Sequence, residues 1–367
     1  MATIHELERE RRYNTAKRAL FDKLYSSLNS KQREAVYTIN GPLLVLAGAG
    51  SGKTTVLVNR IAHIIDFGDA YYSTEEMPGL NEGLVTTFEQ IYNNVDNIPH
   101  DELKSLLLNF KKSPCAPWEI LSFTFTNKAA NEMKERLSAI LGERANEIWA
   151  GTFHSICVRI LRQNIRVLGY PSQFIIMDEE DQKSLLKKMF KDMNIDAKVI
   201  SYKSCLNYIS SMKMARLNPD NARDFAGNYA GEIKKAEVYK EYEKYKEEHY
   251  MLDFDDLLLK TLEIFENFPE ILEKWQNRFQ FIHVDEFQDV GEIDYKLVLM
   301  LSGKSTLCVV GDPDQTIYSF RGSNVNYILD FEKDYPRTKT IILDQNYRST
   351  QNILDISNNL IRKNKNI

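Results

Sequence analysis

Residues 47–54 read Ala47, Gly48, Ala49, Gly50, Ser51, Gly52, Lys53 and Thr54, and this string is chemically suited to cradling phosphate. An apolar run of Leu43, Leu44, Val45 and Leu46 precedes it and predicts a buried strand; a helical pattern follows from 53 to about 65. Strand, glycine loop and helix together are the context in which such a loop binds phosphate. Free N–H groups of the loop and of the helix start converge on one spot and favour an anion there. Glycines let the backbone approach closely, Lys53 reaches the β- and γ-phosphates, and the Thr54 hydroxyl holds Mg²⁺, with Thr55 beside it. The usual pattern opens on Gly, where this chain has Ala47. The expected ligand is a nucleoside triphosphate.

Three further groups follow apolar runs. Val284 leads into Asp285, Glu286, Phe287, Gln288 and Asp289. Two adjacent acids at a strand end can divide the labour, Asp285 on Mg²⁺ and Glu286 orienting and deprotonating water. Val309 and Val310 lead into Gly311, Asp312, Pro313, Asp314 and Gln315, a neutral amide suited to sensing a γ-phosphate. Tyr318, Phe320 and Arg321 come next and can offer stacking platforms to exposed bases, each worth about 1–3 kcal/mol. By themselves these aromatics read as readily as core residues. Last, Asp344, Gln345 and Asn346 precede Tyr347, a face for adenine, and Arg348, a cation for the γ-phosphate.

The chemistry needs a scaffold. At 367 residues the chain has room for two or three domains. Its 43% hydrophobic and 27% charged residues describe an ordinary soluble protein. No apolar run approaches the ~20 residues that cross a bilayer, and the charged N-terminus lacks a signal core. The four cysteines, Cys115, Cys157, Cys205 and Cys308, show no metal spacing and read as reduced thiols of a cytoplasmic protein. A net charge of −5 argues against indiscriminate polyanion binding, so any nucleic-acid contact must come from a local groove and stacking.

Residues 1–27 predict a charged helix, read as a surface arm, and 67–117 an insertion with weak helical stretches at 85–92 and 101–110. Strands are expected at 120–124, 281–284, 307–310 and 340–343, with helices between them, as in a parallel sheet covered on both faces. Residues from about 155 to 258 are Lys- and Tyr-rich and mostly helical, which predicts an all-helical subdomain inserted into an α/β domain.

Together the motifs resemble the UvrD/Rep/PcrA group of superfamily 1 DNA helicases. Leu28, Asn29, Ser30, Lys31 and Gln32 are similar to that group's Q motif, which implies that Gln32 reads the adenine edge. Residues 47–54 match its phosphate loop, including the family's own Ala at the first place. Phe125, Thr126 and Asn127 match motif Ia, and Gly151, Thr152, Phe153 and His154 match motif Ib. The resemblance implies single-strand contacts through Phe125, Asn127, Thr152, Phe153 and His154; no partner acids or histidines support His154 as a metal ligand. Residues 285–289, 311–322 and 345–350 resemble motifs II, III and IV, and 252–257 resembles the end of the family's helical subdomain. Phe320 stands where many relatives have Trp, and the 67–117 segment is longer than usual there.

The resemblance implies a RecA-like P-loop NTPase with a parallel sheet: motor domain 1A over 28–154 and 259–350, helical subdomain 1B over 155–258, and the start of a truncated domain 2A over 351–367. The implied function is the N-terminal motor half of an ATP- and Mg²⁺-dependent 3′→5′ DNA helicase or translocase acting in repair or replication. Its partners would be single-stranded DNA, single-strand/duplex junctions and the missing 2A and 2B domains. Lys53, Asp285, Glu286, Gln315 and Arg348 carry the expected catalysis. Motifs V and VI with their arginine are missing, so the fragment alone is expected to hydrolyse ATP very slowly. An alternative is an ATP-gated remodeller that displaces bound proteins with little unwinding; a small-molecule P-loop kinase predicts neither motif Ia nor the 315–321 run.

Overall fold

The computed structural model describes residues 4–75, 77, 79–316 and 323–361. Eight strands occur among them: β1 (Leu43–Ala47), β2 (Ile120–Thr124), β3 (Trp149–Thr152), the short β4 (Ile175–Ile176) and β5 (Met251–Leu252), β6 (Phe281–Val284), β7 (Thr306–Gly311) and β8 (Lys339–Leu343). Six of these form one sheet in the order β3-β2-β6-β7-β1-β8. The pairs β2–β6, β6–β7, β7–β1 and β1–β8 are all parallel. This is the expected α/β architecture with a parallel sheet. Central strands β1, β2 and β7 are almost wholly buried because helices cover both faces, which is why they read as unbroken apolar runs. Edge strand β8 instead alternates, with Ile341 and Leu343 inside and Ile342 exposed. Strand β3, with Ala150 and Gly151 at its centre, carries no such run and escapes sequence reading.

The chain divides into two compact units. One takes in the described residues up to Gly151, Gln276–Gly291 and those from Ser302 onward; the other is Thr152–Trp275 with Glu292–Leu301. The helical unit is therefore larger than the 155–258 expected. It adds the rest of the helix Phe254–Asn267, most of Pro269–Arg278 and the helix Glu292–Leu301. The apolar stripe of the first of these, Leu257, Leu258, Thr261, Leu262, Ile264 and Phe265, is fully buried and requires a helical partner.

The N-terminal helix, Ile4–Leu24, is not an arm. Its charged face hides a buried stripe of Tyr13, Ala16, Lys17, Leu20, Phe21 and Leu24. All of these but Lys17 join Phe67, Val85, Phe88, Leu103, Leu107 and Phe110 of the 67–117 segment in a separate hydrophobic core. Phe21 meets Phe67 edge-on at 5.2 Å, and Tyr37 stacks on Tyr71 at 3.7 Å. Arg12 clamps Glu89 through two hydrogen bonds of 2.8 and 2.6 Å. The helices expected near 85–92 and 101–110 run Glu82–Asn93 and His100–Leu107 and cover this cluster.

In the helical unit a buried ionic knot holds the start of Phe254–Asn267. Asp253 caps that helix and exchanges capping hydrogen bonds with Asp256. Lys213 Nζ lies 2.7 Å from Asp253 Oδ1 and 2.5 Å from Asp256 Oδ1, and Lys246 Nζ 2.5 Å from Asp256 Oδ2 and 2.9 Å from Glu243. Burial pulls the Lys213 ammonium down, but the Asp256, Asp253 and Glu243 charges overcome it and hold it above its ordinary value. The Asp-rich string at 252–257 is thus a packing device, and ammonium groups fill the one cluster of acids that has metal-ligand spacing among the described residues.

Truncating Phe21 to Ala is expected to cost about 3–5 kcal/mol, the usual range for a buried aromatic. Urea unfolding measures it; a change within ±0.5 kcal/mol, typical of a surface substitution, would restore the arm reading.

Candidate functional site

The phosphate loop leaves the carboxyl end of β1 and enters the helix Lys53–Asp66. Gly52 caps that helix with a left-handed φ of +89° and no side-chain hydrogen bond, so the first N–H groups stay available to an anion. Lys53 Nζ reaches Glu286 Oε2 at 2.6 Å, which joins the loop to the acidic turn after β6. Asp285 is 5% exposed, and the Glu286 N–H donates to its Oδ1 at 3.0 Å. Burial, reinforced by the neighbouring Glu286 charge and opposed by Lys53, pushes the Asp285 carboxyl up to about 7. Glu286 itself has a φ of +49°, a left-handed conformation that costs a non-glycine residue about 1–2 kcal/mol and is found at functional sites.

Behind Glu286, the Gln288 amide donates to Glu286 Oε2 at 3.0 Å and accepts the Asp312 N–H at 2.9 Å. Asp312 follows β7, and its carboxylate receives the side-chain amide of Gln315. The proposed phosphate sensor is therefore tied to Asp312 in this structure. Gln288 carries no role in the sequence reading; its place in a strand-end acidic string was the only signal.

On the other side of the loop, the segment after β8 lies directly on it. Tyr347 N–H donates to Gly50 O at 2.9 Å, and the Asn346 side chain donates to Ala49 O. A Cβ on Gly50 would sit 2.5 Å from Arg348 Cβ, so this close approach needs glycine. Tyr347 is 55% exposed and Arg348 is exposed, both beside the loop. Gln32, the residue expected to read adenine, lies beside the loop. It occupies the third turn position of a capping box with Asn29, and its Nε2 donates to Ser51 O at 2.9 Å. Its amide thus ties the helix Ser30–Tyr37 to the loop, and both ends are occupied by protein groups.

The single-strand candidates follow β2 and β3. Phe125 is half-buried and Asn127 exposed at the start of the helix Asn127–Leu141. Thr152 caps the helix Phe153–Asn164, accepting the Ser155 N–H at 3.3 Å, and His154 lies tilted 5.5 Å from Phe254. Phe153 corrects the reading: at 5% exposure it opens the buried stripe Phe153, Ile156, Cys157, Ile160, Leu161, Asn164 and offers no open face. Tyr318, Phe320 and Arg321 lie outside the described residues.

A model of the UvrD/REP helicase N-terminal domain family matches residues 28–88 and 104–336. The chain belongs to this family. It is similar to ATP-dependent DNA helicase PcrA of Staphylococcus epidermidis, with 42% identity over 342 residues, 93% of this chain and 41% of the relative. The same name is carried by relatives from Bacillus subtilis (strain 168), 42% identical over 94% of this chain and 41% of theirs, and Staphylococcus aureus (strain NCTC 8325 / PS 47), 42% identical over 93% and 40%. The chain thus spans about two fifths of the length of these curated relatives. No described helix is long and apolar enough to cross a membrane.

The donor set of this family member fits Mg²⁺. Thr54 and Asp285 are hard oxygen donors, and among the described residues no side chain donates a hydrogen bond to the buried Asp285 carboxylate. A divalent cation there would keep Asp285 ionised.

Because the folded-state value of about 7 lies above the ordinary 3.8, folding favours the protonated acid. The resulting penalty is absent below the ordinary value, grows as pH rises between the two, and reaches roughly 4 kcal/mol above the upper one. Asp285→Asn is therefore expected to raise the melting temperature of the metal-free protein at pH 8 and to gain much less at pH 4.5. Thermal unfolding at the two pH values checks this; an equal gain at both would contradict it.

Proposed function

We propose that this chain is the N-terminal motor portion of an ATP-dependent DNA helicase or translocase that binds Mg-ATP and single-stranded DNA. The observation that carries the reading is the 2.6 Å contact of Lys53 with Glu286, which sets phosphate-binding and water-activating groups face to face across one sheet end. The family relationship supports the nucleic-acid side and, by resemblance, a 3′→5′ direction of travel.

In this mechanism an incoming triphosphate takes the place of Glu286 as the partner of Lys53, and Glu286 is released to act as base. Its carboxylate orients a water and accepts a proton as the water oxygen bonds to the γ-phosphorus and the bond to the β-phosphate oxygen breaks. Thr54 and Asp285 would hold Mg²⁺, whose positive charge would offset that of the phosphates. Lys53 and Arg348 stabilise the charge on the transferring group, with Gln315 exchanging Asp312 for the nucleotide. Tyr347 presents its exposed ring to adenine. Phe125, Asn127, Thr152, His154, Tyr318, Phe320 and Arg321 contact the strand. In a longer protein of this family, 2A and 2B domains would close on the nucleotide and complete the site; single-strand/duplex junctions, repair or replication, and a cytoplasmic location belong to the same reading.

Calorimetric titration with Mg-ATP is expected to give saturable heat that Lys53→Ala weakens by roughly tenfold or more, about 1.4 kcal/mol. Slow turnover should rise when oligo-dT is added. No heat with nucleotide, or turnover indifferent to DNA, would sink the proposal.

A further inference from the structure

Gln288 is 1% exposed, and the proposed mechanism gives it no task. Both ends of its amide are used. Nε2 donates to Glu286 Oε2 at 3.0 Å and to Asp289 Oδ2 at 3.4 Å, while Oε1 accepts the Asp312 N–H at 2.9 Å. Asp312 in turn accepts the Asp314 N–H at 3.1 Å and the side chain of Gln315. One neutral side chain therefore spans from the acidic turn after β6 to the turn after β7. The end of β7 is shaped for it: a Cβ on Gly311 would lie 2.6 Å from Gln288 Oε1 and 3.2 Å from Phe287 N.

We infer that Gln288 is a positioning residue that relays the state of Glu286 to the 312–315 turn, and so couples nucleotide occupancy to the hold on single-stranded DNA. The inference rests on the proposed function and adds the physical link between its two halves. A buried amide cannot release either end without leaving a polar atom unpaired, so it transmits a displacement of Glu286. While Lys53 holds Glu286 the relay is pinned. When a phosphate draws Lys53 away, the charge-assisted bond from Gln288 becomes the remaining side-chain restraint on Glu286 among the described contacts. The turn that moves with it continues in sequence into Tyr318, Phe320 and Arg321. The residue type matters: Glu would set a third acid beside Glu286 and Asp289, and Met would keep the volume but neither bond.

The test measures oligo-dT affinity of the whole chain with and without a non-hydrolysable Mg-ATP analogue. In the unaltered chain the two affinities are expected to differ by about fivefold or more, the usual floor for coupled sites. Gln288→Met should keep analogue affinity close to the parent and lower the melting temperature modestly, for the unpaired Asp312 N–H, while the difference falls below about twofold. Gly311→Ala, which pushes the amide aside without removing it, should lose the coupling in the same way. Gln288→Glu should regain coupling as pH falls, relative to the parent at each pH, because a protonated carboxyl again donates and accepts. Coupling that survives intact in both Gln288→Met and Gly311→Ala overturns the role of Gln288 alone. A parent chain that binds neither nucleotide nor DNA overturns the functional reading and this inference with it.

Discussion

Two carboxylates on successive residues, one of them buried, meet a lysine at the end of a parallel sheet. Like charges so close repel, and removing Asp285 from water raises the cost of ionising it. Lys53, 2.6 Å from Glu286, offsets part of that cost. In the proposed mechanism a bound phosphate and a divalent cation would take the place of these mutual contacts. The left-handed backbone at Glu286 belongs to the same constraint, since it turns the second acid back toward the loop instead of along the strand.

Such a site is useful only if its walls do not relax. The helix that follows the phosphate loop is buried on nearly every side, with Val56, Leu57, Val58, Ile61, Ala62, Ile64 and Ile65 joined by Arg60 and His63. One part packs into the sheet core, while Phe67 beyond its end joins the cluster built by the N-terminal helix and the 67–117 segment. His63 sits among Phe21, Tyr25 and Tyr37, and burial drives its imidazole down to about 3, so it stays neutral there. The N-terminal helix and the long insertion thus brace the far end of the phosphate-loop helix. The helical unit solves a comparable problem differently, pinning a helix start with buried lysines whose removal would strand uncompensated charge.

The main-sheet strands other than β3 were legible because they read as runs of apolar residues, as at 120–124 and 281–284. The N-terminal helix misled because its first nine residues, up to Arg12, are crowded with charge, and its buried stripe begins only at Tyr13. Phe153 misled for the opposite reason: an aromatic in a functional string is also the first residue of a helical apolar stripe. Gln32 was found at the loop, but its use as a capping amide depends on Asn29 and Ser51 converging on it.

The sequence by itself determined which groups the chain could bring to a phosphate, because glycine spacing, lysine reach and strand-end acids are local properties of a few consecutive residues. It also determined the period of each core element. Only the tertiary structure decided who touches whom across long separations: Lys53 with Glu286, Gln288 with Asp312, Tyr347 with Gly50. Those pairings arise from strand order, β7 lying between β1 and β6, and strand order is set by how whole faces are buried rather than by any motif. The raised pKa of Asp285 has the same origin, since dehydration is a property of the assembled sheet end and of no residue alone.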